Sequence, residues 1–258
     1  KVKDDLNVTT YGLALGLKFT SSFSAGLSVG FSQMDWCYLR QEFDIPLVSQ
    51  QAFSTHTVDS EDVADQFSVS LMWNPFGEFN IGLIYRYGPT FETLYKWEYD
   101  SDFDGIYDET YNTPNTLNIP DVYGVGISYR FLTNLTVAAD INYVKYSDIL
   151  DNFLTTFGTP TSDFEVDDYF EIHTGFEYVL TTTDIPFAVR GGYYYLPEHR
   201  IRYTGPNAAI RLLSQKGEDE HIFSLGFGTV FDNIQVDAAG SWGDYVSEYT
   251  LSFVYRFE

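Results

Sequence analysis

The chain has 258 residues, 44% hydrophobic and 20% charged, with 37 acidic against 14 basic side chains and a formal net charge of −23. That apolar content excludes wholesale disorder, and a sequence pI near 4.2 excludes nucleic acid as a partner, because the summed field would repel a polyanion. One cysteine, Cys37, excludes an intrachain disulfide and a thiolate metal cluster; it is expected as a small apolar side chain, buried or facing lipid.

No stretch approaches the roughly 18 consecutive apolar residues of a membrane helix. The chain alternates with a period of two instead, the period of a strand with two different faces. The rows run Tyr11, Leu13, Leu15, Leu17, Phe19; then Phe23, Ala25, Leu27, Val29, Phe31; then Phe67, Val69, Leu71, Trp73; then Phe79, Ile81, Leu83, Tyr85, Tyr87. They continue as Tyr123, Val125, Ile127, Tyr129, Phe131; Leu135, Val137, Ala139, Ile141, Tyr143; and Phe170, Ile172, Phe176, Tyr178, Leu180. Phe187, Val189, Tyr193, Tyr195 follow, then Phe223, Leu225, Phe227, Phe231, then Ile234, Val236, Trp242, and last Tyr249, Leu251, Phe253, Tyr255, Phe257. Eleven strands are thereby predicted.

The connections alternate as well. Short turns fall at 20 to 22, 74 to 78, 132 to 134, 181 to 186 and 232 to 233, and long polar loops at 41 to 64, 97 to 119, 147 to 167 and 196 to 219. Short turns at one end and long loops at the other mark an antiparallel outer-membrane barrel, with the long loops outside the cell. The predicted fold class is therefore all-β, a transmembrane antiparallel β-barrel with its apolar aromatic face toward outer-membrane lipid. Residues 1–258 form one such domain. Aromatic residues near strand ends, such as Tyr85, Tyr87, Tyr129, Phe131, Tyr193 and Tyr195, suit the interfacial girdles, although Tyr and Phe also simply favour strands. The first and last strands both run toward the short-turn end, so an even-stranded barrel requires at least one further strand before Lys1.

The opposite, lumen face is unusually small, with Gly12, Gly16, Gly26, Gly30, Gly82, Gly124 and Gly126 among its members. Either a plug or ligand approaches it closely, or glycine relieves crowding where the barrel curves. If the turn at 181 to 186 sets the register, Glu177 falls opposite Arg190 and His173 opposite Tyr194. Arg86, Arg130, Asp140 and Asp237 share that face. These charges form either an interior network that braces the barrel or a polar track that orients a carboxylate or passes ions.

One loop has a sharper motif. Asp100, Asp102, Asp104 and Gly105, with Asp108 three residues on, have the spacing of a calcium loop, in which alternate carboxylates converge on a hard cation. Tyr111 stands where the bidentate glutamate belongs, with Asp108 and Glu109 as partial replacements; the other reading is a solvated acidic loop. No other cofactor is indicated. The four histidines, His56, His173, His199 and His221, have no evident nucleophile placed beside them as a triad would require, and no enzymatic activity is expected. His56 does lie near Ser54, Thr57, Asp59 and Ser60, as loop residues commonly do.

The segments Ile119 to Arg130, Asp140 to Ser147, Gly175 to Tyr178, Arg190 to Pro197 and Leu251 to Phe257 together resemble the C-terminal region of the FadL/TodX family of outer-membrane transporters for hydrophobic compounds. The resemblance covers most of 115 to 258 and, in general pattern only, the first hundred residues. It implies a fourteen-stranded barrel with an N-terminal hatch, of which this chain would be the C-terminal portion. The hatch, the kinked strand with its lateral opening and much of the ligand pocket would precede Lys1, so no family ligand residue is transferred. The implied function is passive passage of a hydrophobic small molecule, a long-chain fatty acid or aromatic hydrocarbon, across the bacterial outer membrane. A non-specific porin is one alternative. A scaffold barrel in a secretion or surface complex, with protein partners on its long acidic loops, is another.

Overall fold

The computed structural model describes residues 1–43, 52–152, 161–181 and 185–256. Phe257 and Glu258, the middle of two long connections (44–51 and 153–160) and part of one short turn (182–184) lie outside the described residues. The strands are β1 (Val2–Lys18), β2 (Phe23–Glu42), β3 (Ser54–Phe76), β4 (Phe79–Tyr87), β5 (Thr90–Tyr99), β6 (Glu109–Asn118), β7 (Val122–Leu132) and β8 (Leu135–Val144). They continue as β9 (Phe164–Glu165), β10 (Tyr169–Leu180), β11 (Phe187–Leu196), β12 (Arg202–Tyr203), β13 (Glu220–Phe231), β14 (Ile234–Trp242) and β15 (Ser247–Tyr255), with one short helix, α1 (Ala208–Leu213).

Eleven strands make one antiparallel wall in the order β1-β2-β3-β4-β7-β8-β10-β11-β13-β14-β15. They are the eleven that alternation predicts. From β4 onward these strands have 9 to 12 residues, close to the tilted span of a bilayer core. β1, β2 and β3 reach 17, 20 and 23 residues and project past the others at the long-loop end.

That projection corrects two of the expected loops. Strand β2 continues to Glu42 and β3 already begins at Ser54, so much of 41 to 64 is sheet. The region 97 to 119 belongs largely to a hairpin, β5 with β6, whose turn-proximal half is held to the wall by pairing of Ser54–Val58 of β3 with Tyr95–Tyr99. Its β5 side alternates Phe91, Thr93 and Tyr95 inward and buried against Thr90, Glu92 and Leu94 outward. Strand β6 pairs on one side only, which is why it accommodates Pro114. The other two long connections hold β9, β12 and α1.

The turns explain the register. Asp232 takes φ 48° and Gly77 φ 45° in the tight reversals that close β13–β14 and β3–β4, where positive φ matches the strand twist. Gly88 ends β4 where the chain leaves the wall, and a Cβ there would meet the Ile119 carbonyl oxygen at 1.9 Å.

Register places the predicted apolar rows together on the convex face. One rung reads Leu15, Leu27, Val69, Tyr85, Tyr123, Tyr143, Phe170. Among the described residues nothing covers this face; Leu13, on the same face, is 81% exposed. A continuous apolar surface of this extent is unsupportable in water and is a lipid-facing band. Aromatic contacts mark both its margins: Tyr85–Tyr123 at 4.8 Å and Tyr143–Phe170 at 5.2 Å toward the long loops, Phe76–Phe79 at 5.3 Å and Tyr129–Phe131 at 4.7 Å toward the short turns. The six steps from Phe79 to Tyr85 span about 20 Å along the strand, the scale of such a band. Tyrosine hydroxyls at the upper margin reach loop carboxylates, Tyr85 donating to Asp121 at 2.8 Å and Tyr143 to Asp168 at 2.7 Å.

Cys37 lies outside this band. It is half-buried on the projecting part of β2, in register with Asp5 and Asp59, so its neighbours are carboxylates and lipid is not among them. Among the described residues no helix is long and apolar enough to cross a membrane.

Candidate functional site on the concave face

Two adjacent rungs build the site. The upper is Gly16, Gly26, Ser70, Ile84, Gly124, Asn142; the lower is Lys18, Ser24, Met72, Gly82, Gly126, Asp140. Between them the face hollows into a concavity of about 610 Å³. The glycines there are of two kinds. At Gly26 and Gly124 a Cβ would strike a neighbour's side chain, Ser70 Oγ at 2.6 Å and Asn142 Oδ1 at 2.4 Å, so glycine makes room for polar groups that lean across. Gly16 meets nothing within 4 Å and Gly82 only a carbonyl oxygen at 4.0 Å. These two form an open floor, with apolar Met72 and Ile84 beside it and polar Lys18, Asp140 and Asn142 at its rim. Crowding on a curved wall therefore accounts for some of the lumen glycines, and free space accounts for others.

The charged residues fall into two groups on that face and two outliers. His173 lies opposite Tyr194, with ring centroids 4.3 Å apart, and its Nδ1 is 2.5 Å from Asp140 Oδ1. Glu177 lies opposite Arg190, whose Nε donates to Glu177 at 2.7 Å while its guanidinium also donates to Asp237 at 2.5 Å. Gln235 donates to the other Asp237 oxygen at 2.7 Å. His173 and Glu177 are four positions apart, about 13 Å along the strand, so the charges gather in two separate clusters. Arg130 joins neither, since it stands at the short-turn end, 3.6 Å from Glu78. Arg86 faces the concave side opposite Ser68, exposed and without an ion pair among the described residues.

Above the concavity the long connections fold inward. Val144, Tyr146 and Val166 form a small buried core with Val122, Tyr169 and Ile201 packed on it, and Tyr146 donates to Glu171 at 2.6 Å. This cap closes the upper concave face over β7, β8 and β10. The alternation of the strands gives no hint of it, because Val166 and Ile201 come from segments read as polar loop and the strand-end residues they meet belong to no apolar row. Met72, Ile84, Asn142 and Gln235 were accessible from sequence, as the residues that alternate with the apolar rows.

The remaining histidines are structural. His56 is buried; its Nε2 lies 3.1 Å from Ser54 Oγ, but its other nitrogen bonds the Tyr95 hydroxyl and Ser54 Oγ already accepts the Trp97 indole N–H at 2.9 Å. His199 stacks on Tyr146 at 4.4 Å, and His221 bonds Tyr193 at 2.8 Å. In the 100 to 108 loop, Asp100, Asp102 and Asp108 converge, whereas Asp104 turns away to accept the Ile106 N–H at 2.8 Å.

An antiparallel wall with a lipid-facing band, two aromatic margins and a concave polar face defines an outer-membrane-type β-barrel. No protein-family model and no curated protein matches the chain. Solved structures share its fold, among them three outer-membrane proteins. A Pseudomonas aeruginosa FadL homologue matches with a TM-score of 0.64 at 18% identity, over 92% of this chain and 60% of that one. The monoaromatic hydrocarbon channel CymD matches with 0.64 at 14% identity, over 98% and 74%. The Ralstonia pickettii toluene transporter TbuX matches with 0.61 at 13% identity, over 99% and 69%. The chain thus spans 60% of the length of the FadL homologue, and the FadL/TodX resemblance seen in its residues extends to its fold.

Proposed function

We propose that this chain is the greater part of a bacterial outer-membrane barrel through which a hydrophobic small molecule passes, without nucleotide or redox cofactor. The observation that carries the proposal is the glycine-floored concavity, where Met72 and Ile84 offer apolar contact between two rungs whose other members are glycine, polar or charged. A face that served only water and ions would have no use for apolar walls there, and a merely structural face would fill the open floor with side chains. Polar rim groups such as Asp140 and Asn142 fix orientation in a site of this kind. The similarity in fold to a hydrocarbon channel and a toluene transporter supports aromatic hydrocarbons as one substrate class, with long-chain fatty acids as the other. The long loops face the exterior and the outer band contacts lipid.

The test is uptake of radiolabelled toluene and of a labelled long-chain fatty acid by cells with and without the full gene. Faster uptake of at least one by the carrying cells is expected. Equal uptake of both overturns the proposal, and large ohmic conductance in planar bilayers with no uptake preference identifies a non-specific pore instead.

A further inference from the structure

The turn of the β5–β6 hairpin is built around carboxylates. The Asp100 N–H donates to the Phe53 carbonyl at 2.8 Å and the Asp108 N–H to that of Tyr99 at 3.0 Å, which fixes both ends of the loop on the sheet. One carboxylate oxygen each from Asp100, Asp102 and Asp108 lies within 4.8 Å of the others. The Gly105 N–H donates to Asp100 Oδ2 at 2.9 Å, and the Ser101 N–H and hydroxyl donate to Asp108 Oδ2 at 2.8 and 2.6 Å.

A cluster of acidic groups alone would signify only a solvated loop. The second observation concerns Asp100, which is 3% exposed. Its Oδ1 is buried and has no hydrogen-bond partner among the described residues. A buried carboxylate oxygen with no donor is strongly disfavoured unless a cation faces it, and none of the three aspartates makes an ion pair among the described residues.

We propose that Asp100, Asp102 and Asp108 bind one Ca²⁺ at the tip of this hairpin. The donors are all oxygen, which selects a hard cation. They sit on a turn between two strands, a setting that adapts to six to eight ligands more readily than to the strict octahedron of Mg²⁺. Tyr111 occupies the position of the bidentate glutamate and its hydroxyl donates to Glu109 at 2.9 Å, so neither completes the set. A site with three carboxylates and no bidentate ligand falls in the weak range of extracellular modules, a Kd on the order of 10⁻⁴ to 10⁻³ M. The site is independent of what crosses the barrel.

The test uses the full-length protein in detergent micelles after chelator treatment. Tb³⁺ luminescence, excited through the aromatic residues around the loop, is titrated with CaCl₂ and in parallel with MgCl₂. Expected are displacement by Ca²⁺ near millimolar concentration, at least tenfold weaker displacement by Mg²⁺, and at least tenfold weaker Tb³⁺ binding in Asp100→Asn and in Asp102→Asn. Asp102 is exposed, so Asp102→Asn keeps the hairpin even if Asp100→Asn does not fold. Unchanged Tb³⁺ binding in Asp102→Asn, or displacement by Mg²⁺ equal to that by Ca²⁺, overturns the assignment.

Discussion

Arg190 holds two carboxylates, Glu177 across one strand pair and Asp237 two strands away. Removing it leaves two like charges facing each other on a partly solvated surface. The groups are a fifth to two-fifths exposed, so the penalty is well below that of a fully buried pair. Arg190→Ala is expected to lower stability by about 1–2 kcal/mol, read from the urea midpoint in detergent, while Arg86→Ala changes it by less than about 0.5 kcal/mol. Gly88 has a different role, since its missing Cβ admits the Ile119 carbonyl and its N–H donates to Asp121 at 2.9 Å. Gly88→Ala is expected to cost about 2 kcal/mol or more in the same measurement. The Glu177–Arg190 opposition was legible in sequence because a short turn transmits register across it. The second partner was half legible: Asp237 could be placed on the face, but its distance from Arg190 depends on β13, whose Gly228 lets the two side chains lean across.

The element that departs most from the sequence reading is the β5–β6 hairpin. Alternation over Phe91, Thr93 and Tyr95 was present, but Pro114 and the asparagines of β6 have weak strand preference and masked the partner. Its turn-proximal half rests on a buried polar cluster. The Tyr95 hydroxyl is pushed up to about 12 by burial, so it stays protonated and can donate to His56 Nδ1, leaving Nε2–H for Ser54 Oγ; a neutral imidazole satisfies both. Burial also holds the His56 imidazole below its ordinary value. The unfolded chain therefore takes up this proton first as pH falls, and the hairpin's stability is full above about 6.5 and declines below it toward the lower folded value. Protease cleavage between 100 and 108 in reconstituted protein is expected to accelerate between pH 7.5 and 5. His56→Gln should flatten that dependence, and an unchanged profile in the variant would remove His56 as its source.

At the scale of the whole molecule, the eleven-strand wall, its two-faced character and the alternation of short and long connections all followed from a period of two and from where polar runs fall. The loop-built cap over Val144 and Tyr146 did not, because irregular segments have no period from which packing can be read. The concavity was legible only in part. A face rich in glycine announced space without saying which glycines look onto neighbours and which onto nothing, and that distinction requires the register and the side chains across it. It also supplies the decisive measurement. Replacing Gly82 by Leu fills the open floor with no atom of the wall nearer than 4.0 Å to the new Cβ, and removing a strand glycine should stabilise the barrel by about 0.5–1 kcal/mol. If a hydrophobic molecule passes along this face, cells with Gly82→Leu take up the labelled substrate at least several-fold more slowly although the protein is present in the outer membrane at an unchanged level. Uptake equal to that of the unsubstituted protein would contradict the account.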